Sequence, residues 1–215
     1  MSEALSFEHR FVPATEGPDS SKPVLLLLHG TGGDENNLLS LGRTLSPGSA
    51  LLSPRGQVNE GGALRFFRRI REGVFDQEDL SRRTIELAEF IAAAAKRYRF
   101  QTDDVVAVGF SNGANIAGSL LLRRPGLVKR AALLSPMIPF EPETKPDLRG
   151  TSVFIGAGRM DAMVPIEQSE RLAALLRECG AEVAIHWDVG GHVITPGEVK
   201  AAQRWIAPSG ETGAD

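Results

Sequence analysis

The sequence predicts an α/β fold, a single domain over residues 1–207 built on one mostly parallel, twisted sheet with helices on both faces. Three observations carry that reading. Short, wholly apolar runs bounded by turn residues recur along the chain, helical stretches lie between them, and the chemically suggestive residues fall just after the runs. A strand apolar along its whole length suits a sheet buried on both faces. Alternation of strand and helix is how a chain builds such a sheet, and ligands then gather at the carboxyl ends of the strands.

The elements follow in order. Residues 15–23 read as a loop, and the run 24–28 (Val-Leu-Leu-Leu-Leu) reads as the first parallel strand. Further strands are expected at 50–52, 105–108, 131–134, 153–155 and 183–185. Residues 78–98 place Leu80, Leu87, Ile91, Ala94 and Tyr98 at helical spacing, leaving Arg82, Arg83, Glu86, Glu89 and Lys96 for solvent. Helices are also expected at 112–123, at 166–178 (stopped by Gly180) and from Pro196 to Ile206. Residues 208–215 read as a flexible C-terminal tail. The loop richest in Gly and Pro outside the motifs, 136–150, reads as a rim or lid rather than a domain boundary.

Composition narrows the function. Hydrophobic residues make up 42% and charged residues 24%, the balance of a soluble globular protein. A chain of 215 residues buries roughly 70% of its unfolded surface, so its core requires no disulfide or metal. The net charge of −3, with no basic face, argues against a nucleic-acid partner. The single cysteine, Cys179, reads as a small, partly buried residue at a helix end. The N-terminal residues form no apolar signal segment, and the run 24–28 is too short to span a bilayer. A cytoplasmic protein without a membrane span is therefore expected.

The most specific motif is Gly109-Phe110-Ser111-Asn112-Gly113, a G-x-S-x-G placed directly after a strand and directly before a helix. In that context the Ser stands on a sharp turn with its hydroxyl above the sheet, and the glycines let strand and helix pass closely. The helix N-terminus also turns free N–H groups toward developing negative charge. Ser111 is therefore the candidate nucleophile. A serine hydroxyl needs a base, and the chain has four histidines. His9 precedes the first parallel strand, His29 sits in a strand-end turn, and His186 falls inside a strand. His192 follows the last strand in a glycine-rich loop, Asp188-Val189-Gly190-Gly191-His192, and is the candidate base.

The acid should fall between Ser and His in the order Ser, Asp/Glu, His. Asp161 lies there, in the loop after the strand at 153–155, where a carboxylate can fix the tautomer of His192. Asp188, still on its strand, and Glu167, in the following helix, are the alternatives. His29-Gly30-Thr31-Gly32-Gly33 follows the first parallel strand and matches neither a phosphate loop nor a dinucleotide fingerprint. It suits an oxyanion hole formed by the backbone N–H groups of Thr31 and Asn112.

Together these residues resemble the phospholipase/carboxylesterase family of α/β hydrolases, over nearly the whole chain. The likeness runs through Leu28-His29-Gly30-Thr31-Gly32-Gly33-Asp34-Glu35-Asn36-Asn37, Arg65-Phe66-Phe67-Arg68-Arg69, the Ser111 motif through Asn115, Asp161 and Gly191-His192. It is strongest to the small bacterial carboxylesterase branch, which is related to acyl-protein thioesterases. The resemblance implies an α/β-hydrolase fold with minimal or no cap and a catalytic triad of Ser111, Asp161 and His192. It also implies oxyanion donors at Thr31 and Asn112, and a homodimer. Acyl-protein thioesterases usually carry Gln at the position of Asn112 and Leu at that of Thr31, which favours the esterase branch.

The expected activity is hydrolysis of small or short-to-medium acyl carboxylic esters through an acyl-serine, with a small-molecule substrate and no cofactor or metal. A thioesterase or lysophospholipase acting on longer chains is one alternative. A catalytically inactive ligand-binding module on the same fold is the other. The segment 65–69 reads either as a surface loop with solvated arginines or as pocket wall. In the second reading Phe66 or Phe67 faces the acyl or alcohol group, and an arginine stands at the rim for an acidic group. Met163 and Val193 complete the candidate substrate pocket.

Overall fold

A computed structural model describes residues 5–15, 17 and 22–207, so the tail expected over 208–215 lies outside the described residues. In chain order the elements are β1 (His9–Val12), β2 (Val24–Leu28), α1 (Leu39–Leu45), β3 (Ala50–Pro54), β4 (Val58–Glu60), β5 (Ala63–Arg65), β6 (Arg69–Arg71) and β7 (Val74–Phe75). There follow α2 (Gln77–Tyr98), β8 (Val105–Phe110), α3 (Asn112–Arg123), β9 (Arg130–Leu134), β10 (Ser152–Gly158), α4 (Ile166–Glu178), β11 (Glu182–Asp188) and α5 (Pro196–Ile206). The six strands read from the sequence all appear, and so do the four helices.

Seven strands form one sheet in the order β1-β3-β2-β8-β9-β10-β11. Every neighbouring pair is parallel except β1 with β3. The chain runs outward from β2 to β3, then crosses back to lay β8 on the other side of β2. Strand order reverses between β2 and β8, and the crevice beyond their carboxyl ends is where an open α/β sheet receives a ligand. The loop after β2 carries Thr31 and the loop after β8 carries Ser111, so both meet at that switch point.

Alternate residues of each strand feed opposite faces. Leu26, Leu28, Leu133 and Ile155 pack with Leu80, Leu87, Ile116, Leu172 and Leu176 of α2, α3 and α4. Leu25, Leu27, Val106, Val108 and Phe154 pack with Leu45 of α1 and with Ala202 and Ile206 of α5. All five residues of β2 are buried, as its unbroken apolar run requires. Helix ends are fixed by local chemistry. The Asp76 carboxylate accepts the Asp79 N–H at the start of α2, and α5 opens with a capping box between Thr195 and Glu198 behind Pro196. Two small hairpins, β4–β5 and β6–β7, rise between β3 and α2, and their turns use glycines at positive φ, among them Gly61, Gly62 and Gly73. Among the described residues no helix is long and apolar enough to cross a membrane.

Candidate active site

Ser111 makes the whole turn between β8 and α3, at φ 52° and ψ −115°. A non-glycine residue holds that conformation only when its surroundings impose it. Here the Ser111 N–H donates to the Leu134 carbonyl at the end of β9 (2.9 Å), and the Ser111 carbonyl accepts the Asn115 N–H (2.9 Å). The flanking glycines are required by space. A Cβ on Gly113 would stand 1.9 Å from the Leu28 carbonyl oxygen, and one on Gly109 would stand 2.5 Å from the Gly113 carbonyl oxygen. The first helical N–H groups, Asn112 among them, have no intrahelical acceptor and point with the helix dipole toward the serine.

His192 reaches over this turn. Its Nε2 lies 2.9 Å from Ser111 Oγ and its Nδ1 lies 2.7 Å from Asp161 Oδ2. The Asp161 side chain is 1% exposed, and its Oδ1 accepts the N–H groups of Met163 (2.8 Å) and Val164 (2.9 Å). With both oxygens occupied by donors, the carboxylate is held as an acceptor for the ring N–H of His192, which leaves Nε2 as the lone-pair nitrogen facing the serine. Gly158 lets the histidine loop close on β10, since a Cβ there would stand 2.2 Å from the Gly190 carbonyl oxygen.

The alternatives are engaged elsewhere. Asp188, the last residue of β11, accepts from Thr195 Oγ1 (2.6 Å) and from the Gly190 N–H (3.2 Å). The Thr195 hydroxyl holds its carboxyl below the usual range. Glu167 lies in the first turn of α4. His9 Nδ1 lies 2.7 Å from the Phe7 carbonyl and its Nε2 2.7 Å from the Tyr98 hydroxyl. His186 stacks near Phe154, its ring 6.4 Å away. His29 is buried, donates from Nδ1 to the Gly30 carbonyl (2.7 Å) and accepts the Gly56 N–H at Nε2 (2.9 Å). Burial pushes its pKa down, and as a neutral imidazole it pins the turn that carries Thr31.

A cavity of about 360 Å³ opens beside Ser111 and His192. Thr31, Asn112 and Met163 line it. Its remaining apolar wall comes from Phe75, Phe110, Met137 and Val164, which the sequence reading did not single out. Only Phe110 carried a signal, as the variable residue of the G-x-S-x-G motif. The start of the 136–150 loop thus forms rim, held where Asn115 Oδ1 accepts the Met137 N–H (2.8 Å). Val193 is exposed and does not line that cavity; it borders an adjoining groove with Gly30, Thr31, Phe110, His192 and Ile194.

Phe66 and Phe67 require correction. Both are buried in the core and neither lines the cavity. The Phe66 N–H donates to Asn112 Oδ1 (2.7 Å) and its ring packs 4.7 Å from His29, while Phe67 packs edge-on to Phe75 at 5.1 Å. The arginines of the same segment supply the wall instead. Arg65, 3% exposed, and the partly exposed Arg69 both line the cavity, and only Arg68 is solvated. Burial pushes the Arg65 pKa down, with the nearby Arg69 charge adding to the effect.

Behind the site lies a buried acid. Glu198, 2% exposed, accepts the Thr195 N–H through Oε2 (3.3 Å), while its Oε1 has no hydrogen-bond partner among the described residues. Burial pushes its pKa up to about 7, and the nearby charges of Asp188 and Asp161 act in the same direction.

Comparison with known proteins places this geometry. Residues 12–209 match the model of the Phospholipase/Carboxylesterase family. A curated relative from Bacillus subtilis (strain 168), MhqD, is 50% identical over 186 residues, which cover 86% of this chain and 93% of the relative. That relative carries a provisional assignment as a hydrolase. The crystal structure of a Bacillus cereus carboxylesterase is 47% identical, with a TM-score of 0.90 over 94% of this chain and 93% of that one. A carboxylesterase from Mesorhizobium loti is 35% identical, with a TM-score of 0.88 over 94% and 95% of the two chains.

Proposed function

The chain belongs to the phospholipase/carboxylesterase family of hydrolases, and from that premise we propose that it is a serine carboxylesterase acting on small or short-to-medium acyl esters through an acyl-Ser111 intermediate. One observation carries the reading. The unbroken hydrogen-bond path from Ser111 Oγ through His192 to Asp161, at 2.9 and 2.7 Å, stands at the mouth of a cavity of about 360 Å³.

The chemistry follows from who holds which proton. His192 Nε2 takes the Ser111 proton as Oγ attacks the ester carbonyl carbon, and Asp161 stabilises the imidazolium that results. The oxygen of the tetrahedral adduct takes the negative charge and is received by the N–H groups of Thr31 and Asn112. One such donor is worth about 100- to 1000-fold in rate. When the adduct collapses, the bond to the alcohol oxygen breaks and His192 returns its proton to that oxygen. Water then loses a proton to the same nitrogen, attacks the acyl-enzyme, and releases the carboxylic acid and free Ser111.

Cavity size supports the short-chain preference. A space of about 360 Å³ lies at the small end of ligand pockets. Hydrolysis of p-nitrophenyl esters of graded acyl length is the test, with acetate and butyrate expected to exceed palmitate in kcat/KM and Ser111→Ala expected to lose turnover of all of them. A maximum at palmitate would move the reading to a thioesterase or lysophospholipase. Turnover unchanged in Ser111→Ala would remove the acyl-serine.

A further inference from the structure

The cavity wall contains a buried cation whose charge is incompletely answered. Arg65 is 3% exposed, and an arginine that deep is normally paired with a carboxylate. Its Nε donates to the Phe67 carbonyl (3.2 Å) and its Nη1 to the Thr31 hydroxyl (2.7 Å), both neutral acceptors. The carboxylate facing it, on Glu60, stops 3.8 Å from Nη1, beyond hydrogen-bond reach. That carboxylate is already taken by Arg69, whose Nε lies 3.0 Å and 3.3 Å from its two oxygens. Arg69 also pairs with Glu72, so the neighbouring cation is doubly compensated. Nη2 of Arg65 makes no hydrogen bond among the described residues, and Arg65 lines the same cavity as Ser111 and His192.

Resting on the carboxylesterase reading above, we infer that Arg65 is an anion subsite and that the favoured substrate is a short ester carrying its own carboxylate, on the acyl or the alcohol side of the scissile bond. A guanidinium fixed by two neutral acceptors is already oriented, so a carboxylate arriving at Nη2 meets a donor that needs no reorganisation. The surrounding apolar wall of Phe75, Phe110 and Met137 removes water from the pair and strengthens it. Arg65 thereby selects among substrates; it does not take part in the acyl transfer.

The test is pH-stat hydrolysis of two matched pairs. Monoethyl succinate against ethyl butyrate places the carboxylate on the acyl side, and acetoxyacetate against ethyl acetate places it on the alcohol side. The wild-type protein is expected to prefer the anionic member of at least one pair by about ten- to a hundredfold in kcat/KM, the scale of one hydrogen bond to a charged group, chiefly through KM. Arg65→Met should abolish that preference, and Arg65→Lys should keep part of it. No anionic preference in wild type overturns the inference, as does a loss in Arg65→Met that is equal for neutral and anionic esters, since Arg65 would then serve only to hold Thr31. If Arg65→Met does not fold, inhibition of wild-type ethyl butyrate hydrolysis decides the matter. Succinamate, which keeps one carboxylate, should compete at least tenfold more tightly than neutral butyramide, and equal inhibition overturns the inference. Hydrolysis of neutral esters without anionic preference would defeat this inference alone, whereas hydrolysis of none of the four esters would defeat the carboxylesterase reading beneath it.

Discussion

At Asp161 three donors converge on one buried carboxylate, and that arrangement decides which nitrogen of His192 faces the serine. An amide in its place would present an N–H to Nδ1 and turn the wrong tautomer toward Ser111. Asp161→Asn is therefore expected to lower kcat about 10⁴-fold with little change in KM for a neutral ester. Asp188 holds different partners, the Thr195 hydroxyl and the Gly190 N–H, and acts on the loop that carries His192. Asp188→Asn should instead lower stability, by about 1–3 kcal/mol in chemical denaturation, with a smaller loss of kcat than Asp161→Asn. The motif singled out Ser111 in the sequence, chain order and loop position singled out Asp161 and His192, and the structure brings the three side chains within hydrogen-bond distance. The pocket wall was not legible in that way. Alternation along 65–69 does not say which side chains face the core, and the structure buries Phe66 and Phe67 while turning Arg65 to the cavity. Phe75 and Met137 reach the site from a two-residue strand and an irregular loop, and no local pattern marks either.

Elements differ in how far local chemistry decides them. The strand–turn–helix around Ser111 depends on a close pass of backbone over backbone. At Gly113 the obstruction is the Leu28 carbonyl of the neighbouring β2, which cannot swing away as a side chain could. Gly113→Ala should therefore destabilise the protein by about 3 kcal/mol or more, read as a lowered midpoint in denaturant, and reduce esterase activity through a displaced serine. Long periodic elements were readable: the boundaries of α3, α4 and α5 agree with the helices expected from the sequence, and α2 begins one residue earlier. Short ones were not. β1 is a four-residue, half-exposed antiparallel edge strand, and α1 has seven residues with no side-chain cap at its start. Both exist because the sheet edge and the face of β2 and β3 need covering, a tertiary cause that leaves little trace in sequence. The hairpins β4–β5 and β6–β7 are likewise too short to show a strand period.

For the molecule as a whole, the switch in strand order between β2 and β8 brings the Thr31 turn and the Ser111 turn to one crevice, and β10 and β11 deliver Asp161 and His192 to the same edge of the sheet. The fold carries a penalty behind that edge. Glu198 has a folded-state pKa of about 7 against 4.5 for an unburied carboxyl, so between those values the native state binds more protons than the unfolded chain. Stability attributable to Glu198 is complete below about pH 4.5, falls as pH rises, and is lost above about 7. The loss amounts to about 3 kcal/mol, so unfolding free energies of Glu198→Gln and wild type should diverge by that amount from pH 4 to pH 8, with the variant favoured at the higher pH. The central claim is that Ser111 is an activated nucleophile at the centre of this arrangement. Its most direct test is treatment with a fluorophosphonate followed by peptide mass spectrometry. The account predicts one phosphonyl group per chain, on Ser111, with ester hydrolysis lost in proportion to labelling; an unlabelled Ser111, or a protein fully active after Ser111 is labelled, would contradict it.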